Sequence, residues 1–161
     1  MKAGVITFPG SNCDDDVVDS LKRIGGFEVE KLWHKDTPNL DSFSLIVLPG
    51  GFSYGDYLRC GAMAARSPIM EKVIDFAHRG GFVLGICNGF QILCESGLLP
   101  GALVRNLNLN FICKDISVSV NDSDSPWTKT IEPHSHLRLP IAHGEGRYII
   151  DEAGYRSEEH T

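Results

Sequence analysis

Residues Phe82-Val83-Leu84-Gly85-Ile86-Cys87-Asn88-Gly89-Phe90-Gln91 decide how this chain is read. A short apolar, β-prone run stops at a cysteine with a glycine two residues away on each side. Phe90, Ile92, Leu93 and Cys94 then return with helical spacing. A strand that turns this sharply into a helix needs both glycines, because a Cβ at either place meets the refolded backbone. Gly85-Ile86-Cys87-Asn88-Gly89 is therefore the cysteine form of the G-x-S-x-G nucleophile elbow. Such a turn leaves the sulfur at the C-terminal edge of a strand and at the positive end of the next helix, where the thiolate is favoured. A buried structural cysteine is the competing reading, and the flanking glycines weigh against it.

Working outward, the elements on either side alternate between strand and helix. Ala3 to Phe8 reads as a buried strand ended by Pro9-Gly10. Ser11 or Asn12 is the expected cap of a helix with Asp14, Asp15 and Asp16 in its first turn, where the macrodipole favours negative charge. Val17, Val18, Leu21 and Ile24 form its expected apolar face, and Gly25-Gly26 ends it. Phe27 to Trp33 alternates as an outer strand does, whereas Ser44 to Leu48 is continuously apolar, the mark of a parallel strand covered on both faces. A glycine-rich loop, Pro49 to Asp56, follows. Ser67 (cap) and Pro68 (first turn) open a helix whose inward residues are Ile69, Met70, Val73, Ile74 and Phe76. The elbow helix should end near Ser96-Gly97. This order predicts an α/β fold: a mostly parallel sheet with helices on both faces, joined by right-handed crossovers.

After Pro100 the texture changes. Phe111 to Val120 alternates, Trp127 to Ile131 and Arg147 to Ile150 are shorter apolar runs, and all three read as antiparallel strands appended to the sheet. Residues 152–161 have no apolar period and read as a frayed tail. The whole, 1–161, is taken as a single domain, and that length suffices for a core of its own.

Composition narrows the function classes. With 42% hydrophobic and 22% charged residues, the chain resembles an ordinary globular protein. Its net charge of −6, with no clustered Lys/Arg run, argues against nucleic acid or an anionic membrane as partner. No apolar run reaches membrane-spanning length, and the N-terminus lacks a signal-peptide pattern. Five scattered cysteines without C-x-x-C indicate free thiols in a reducing, cytoplasmic setting.

Ligands collect beyond the carboxyl ends of parallel strands, and Pro49-Gly50-Gly51 and Ile86-Cys87 both end strands there. A thiolate attacking a carbonyl needs donors for the developing oxyanion. The amides of Gly51 and Asn88 are the candidates. Among possible bases, His34 and His78 fall on surface-like segments, and His160 lies in the tail. His134-Ser135-His136 has metal-like spacing but no third ligand, so a plain loop is expected. His143 and Glu145 form the best local acid–base pair, with a surface loop the equal alternative. No P-loop or dinucleotide fingerprint occurs.

Four blocks resemble, in order, one family: Phe8-Pro9-Gly10-Ser11-Asn12-Cys13-Asp14, Leu48 to Arg59, Gly85 to Gln91, and Pro140 to Tyr148. The chain is similar to the glutaminase subunits of phosphoribosylformylglycinamidine synthase, which are class I glutamine amidotransferases of flavodoxin-like fold. The resemblance implies that Cys87 attacks the side-chain amide of glutamine, with Gly51 and Asn88 at the oxyanion positions. It places Gly50, Gly51, Phe52, Ser53 and Gln91 at the glutamine pocket. It further implies that the ammonia passes to a large synthetase subunit, with a small accessory subunit in the complex, for de novo purine synthesis. ATP and Mg serve that partner; no cofactor and no metal are expected in this chain. The family's triad His and Glu lie in a proline–histidine–proline–glutamate motif that is absent here, and they are expected beyond Thr161. His143 and Glu145 match a different block and stand only in reserve. Two other readings stay open: a catalytically incomplete glutamine-binding or docking module of the same complex, and a different cysteine hydrolase with the same elbow.

Overall fold

The computed structural model describes residues 1–121 and 124–151, so the predicted tail and His160 lie outside the described residues. These residues form β1 (Lys2–Thr7), α1 (Asp14–Arg23), β2 (Glu28–Trp33), β3 (Leu45–Leu48), α2 (Pro68–His78) and β4 (Phe82–Gly85). They continue as α3 (Asn88–Glu95), β5 (Ala102–Val104), β6 (Ile112–Ser119), β7 (His136–His143) and β8 (Arg147–Ile149). They pack as two units divided at Ala102, where the sequence changes texture.

In the first unit β2, β1, β3 and β4 lie side by side in that order, and all pairs are parallel. Strand periodicity of two explains how the sheet feeds two cores. Ala3, Val5, Leu45 and Val47 pack with Val18 of α1 on one face. Ile6, Ile46 and Leu48 pack with Ile69, Met70, Val73 and Phe76 of α2, and with Ile92 and Leu93 of α3, on the other. Helices thus cover both faces, and β3 is buried along its whole length. The edge strand β2 buries only Leu32. The order β2-β1-β3-β4 puts the reversal of winding between β1 and β3, and the crevice that binds ligands in such sheets lies beyond that point.

Two helix details differ from expectation. Cys13 takes the N-cap position of α1, and neither Ser11 nor Asn12 caps it with a side chain. Ser11 Oγ donates instead to the Gly50 carbonyl at 3.2 Å, across to the neighbouring strand end. Ile24 lies past the last helical turn, so it leaves the apolar face and is exposed.

The second unit holds two small sheets, β5 with β8 and β6 with β7, separate from the parallel sheet rather than extending it. β6 and β7 run antiparallel from Ile112↔His143 to Ser119↔His136, with an Asp115–Arg138 ion pair between them. β7 was not foreseen. The run from Trp127 to Ile131 is not a strand. The Trp127 N–H bonds Ser125 Oγ, the Thr128 and Lys129 N–H groups bond the Ser125 carbonyl, and that of Ile131 bonds the Thr128 carbonyl. A serine-initiated turn satisfies the backbone locally and outweighs the β-prone side chains.

A candidate active site at the strand ends

Cys87 has φ 53° and ψ −108°, a backbone conformation that L residues adopt only under local constraint. The constraint is close packing of the glycines around it. A Cβ on Gly89 would lie 2.0 Å from the Leu48 carbonyl oxygen, and one on Gly85 would lie 2.7 Å from Gly89 backbone atoms. The strand therefore turns directly into α3, with Cys87 as its N-cap and exposed.

The glycine-rich loop lies against this elbow. Gly50 is buried, and a Cβ there would sit 3.4 Å from Cβ of Cys87 and 3.9 Å from Cβ of Cys13. The ends of β1, β3 and β4 therefore converge on one place. Gly51, at φ 114°, admits no side chain, since a Cβ would fall 2.5 Å from Asn12 Oδ1. Neither its N–H nor that of Asn88 finds an acceptor among the described residues. Both are free to serve a developing anion. Burial, then the charges of Asp16, Cys87 and Asp14, raise the pKa of Cys13.

The pocket residues divide into exposed and engaged. Phe52 is exposed. Ser53 and Gln91 are buried, and both bond the side chain of Asn88, itself 3% exposed. Asn88 Oδ1 accepts from the Ser53 N–H at 3.2 Å and from Ser53 Oγ at 2.5 Å, while its Nδ2 donates to Gln91 Oε1 at 3.0 Å and to Asp56 Oδ1 at 3.3 Å. This hub holds a loop in which Tyr54, Gly55, Asp56 and Leu58 all have positive φ. From the sequence only the backbone amide of Asn88 has an expected role, and no periodicity marks its side chain.

His34 is a correction. Expected on the surface, it is 3% exposed, with Nδ1 2.8 Å from Tyr54 Oη and 3.3 Å from Ser67 Oγ. Burial, reinforced by the Lys35 charge and opposed by Asp36, lowers its pKa. His78 ends α2 and is exposed, as expected. Neither hydrogen-bonds Cys87.

His143 and Glu145 belong to the second unit. There Asn106, 4% exposed, ties the turn together: its Oδ1 meets His143 Nδ1 at 2.9 Å and the Gly146 N–H at 3.0 Å, and its Nδ2 donates to the His143 and Asn110 carbonyls. Nδ1 of His143 thus has a structural partner. Among the described residues no group of three or more His, Cys, Asp or Glu could hold a metal, and no helix is long and apolar enough to cross a membrane.

The family model for the CobB/CobQ-like glutamine amidotransferase domain matches residues 1–160. A phosphoribosylformylglycinamidine synthase subunit PurQ from Bradyrhizobium diazoefficiens is 55% identical over 152 residues, 94% of this chain and 65% of that protein. One from Nitrobacter hamburgensis is 54% identical over 99% of this chain and 68% of its own length. The PurLQS structure from Thermotoga maritima superposes with TM-score 0.87 at 48% identity, covering 94% of this chain and 70% of the other. The chain spans about two thirds of the length of these relatives.

Proposed function

The chain belongs to the CobB/CobQ-like glutamine amidotransferase family, within it to the PurQ kind, and from that premise we propose that Cys87 carries out the glutaminase half of an amidotransferase reaction. The observation that carries the proposal is the constrained elbow at Cys87, with the unengaged Gly51 and Asn88 amides beside it. The thiolate attacks the side-chain carbonyl carbon of glutamine, a C–S bond forms, and the oxyanion is received by the two N–H groups. Cleavage of the C–N bond, with protonation of the nitrogen, releases ammonia and leaves a glutamyl thioester. Water then breaks the C–S bond and frees glutamate. Gly50, Phe52, Ser53 and Gln91 line the approach of the substrate, the last two through their bonds to Asn88. Neither His34 nor His78 supplies the base, and His143 with Glu145 remains in reserve.

The ammonia is used by a large synthetase subunit, assisted by a small accessory subunit, to make formylglycinamidine ribonucleotide in cytoplasmic purine synthesis. ATP and Mg serve that partner, and this chain needs no cofactor. The relatives' names and the PurLQS neighbour support this assembly. Treating the chain with a chloroketone analogue of glutamine and mapping the adduct tests the reading. A single adduct on Cys87, slowed by excess glutamine, is expected. Labelling spread over Cys13, Cys60 and Cys113 without glutamine protection would refute it.

A further inference from the structure

The loop that carries Gly51 is held in a conformation its side chains disfavour. Tyr54, Asp56 and Leu58 have φ of 53°, 55° and 71°, a region that residues with a Cβ keep only where the surroundings enforce it. Gly51, three residues before Tyr54, offers one of the two amides assigned to the oxyanion. Asn88 grips this loop at Ser53. Tyr54 forms a second grip, built from different elements.

The main chain of Tyr54 is tied to the end of β1, where its N–H donates to the Pro9 carbonyl at 2.6 Å. Its hydroxyl lies 2.8 Å from Nδ1 of the buried His34 and 3.2 Å from Ser67 Oγ, and these two are 3.3 Å apart. The three polar atoms close a triangle. The tyrosine ring stands perpendicular to the imidazole, with centroids 5.6 Å apart. Both partners are firmly mounted. The His34 N–H donates to the Thr7 carbonyl of β1 at 3.1 Å, and the His34 carbonyl accepts from the Ile69 N–H of α2 at 3.2 Å. Ser67 holds the N-cap of α2 yet makes no side-chain bond to the helix. A serine at that position ordinarily accepts from an amide of the first turn. Here its hydroxyl serves Tyr54 and His34 instead.

We propose that Tyr54 is a positioning residue for the chemistry at Cys87: its hydroxyl, held by His34 and Ser67, keeps the Gly51 N–H aimed at the developing oxyanion. The inference rests on the glutaminase reading and extends it to three residues outside the pocket named above. A preorganised donor acts on the step in which the anion forms, more than on capture of the substrate. Loss of the hydroxyl therefore slows the covalent step and leaves affinity in place.

Inactivation of the 161-residue chain by the chloroketone analogue of glutamine, resolved into a limiting rate and a half-saturating concentration, tests this. The ketone oxygen of the analogue takes the place of the glutamine carbonyl oxygen. Tyr54→Phe keeps the ring that packs against the core and removes only the hydroxyl, while Ser67→Ala removes one of its two holders. Gly26→Ala is the control for a purely structural loss, because it strains an open turn at the opposite end of the sheet from Cys87. The limiting rate at Cys87 should fall about tenfold or more in Tyr54→Phe, and by a smaller factor in Ser67→Ala. Half-saturation, and the rate with small iodoacetamide, should stay within about twofold of wild type in both. A limiting rate that falls no further than in Gly26→Ala, in either variant, would overturn the inference and leave the glutaminase reading standing. So would a loss confined to half-saturation. Wild-type protein without glutamine-protected labelling of Cys87 would sink that reading, and this inference with it.

Discussion

Ser53 Oγ donates to Asn88 Oδ1 at 2.5 Å, joining residues 35 apart in sequence. Through this bond the residue after the nucleophile grips the loop that carries Gly51. Asn88→Ala leaves the Ser53 hydroxyl and amide without their buried acceptor. We expect a loss of about 2–3 kcal/mol in urea unfolding. Asn88→Asp keeps the acceptor but sets a carboxylate against Asp56 and Gln91 Oε1, and should also destabilise. In both variants Cys87 should react with the glutamine analogue at least tenfold more slowly, while its reaction with small iodoacetamide changes far less.

The elbow glycines give a sharper contrast. In Gly89→Ala the new Cβ meets the Leu48 carbonyl oxygen at 2.0 Å, a backbone atom that cannot step aside. A cost of about 3 kcal/mol or more follows, read as loss of soluble protein or of the cooperative transition. Gly26→Ala, at φ 60° with nothing within 4 Å, carries only the left-handed backbone penalty of roughly 1–2 kcal/mol.

Asp14 gives a pH prediction. Burial pushes its carboxyl up, but hydrogen bonds from Lys31 (2.6 Å) and Thr7 (3.0 Å), with the Lys31 charge, outweigh that and hold its pKa below the ordinary value. The folded pKa is the lower one, so the stabilisation is fully present above the unfolded value of about 4 and disappears as pH falls through the folded value. On the partner, the hydrogen bonds Lys31 donates to Asp14 and Asp15 raise its pKa, so that contribution persists below about 10.4 and is lost at still higher pH. Asp14→Asn should lower stability at pH 7 by about 1–2 kcal/mol and flatten the decline toward pH 3 in urea midpoints.

In the second unit, Asn106→Ala removes the acceptor of the Gly146 amide and the donors to two carbonyls. Hydrogen exchange at Gly146 should accelerate at least tenfold, with the β6–β7 amides much less affected. Equal protection of Gly146 in the variant would count against the Asn106 knot.

How much of this was legible depended on where each residue finds its partners. Leu45–Leu48 could be read at once, because burial on both faces leaves no polar position in the run. The elbow was legible because its glycines answer a steric demand within five residues. His34 was not, since Trp33, Lys35 and Asp36 around it look like surface, and its burial comes from Tyr54 and Ser67, 20 and 33 positions away. β7 was hidden for a related reason. In a two-stranded sheet its Leu137 and Leu139 stay exposed, and Arg138 and Pro140 break any apolar signal. The hub at Asn88 and the knot at Asn106 depend on partners dozens of residues away, which no local pattern encodes.

Alternate residues of β1 and β3 supply the two cores, and both strands end at the loops that meet beside Cys87. The thiol is therefore aligned from above and below the sheet at once. A cavity opened at Val18 on one side or Val73 on the other tilts the same strand ends from opposite directions. The alkylation rate of Cys87 thus becomes a gauge of packing on two surfaces that share no side chain.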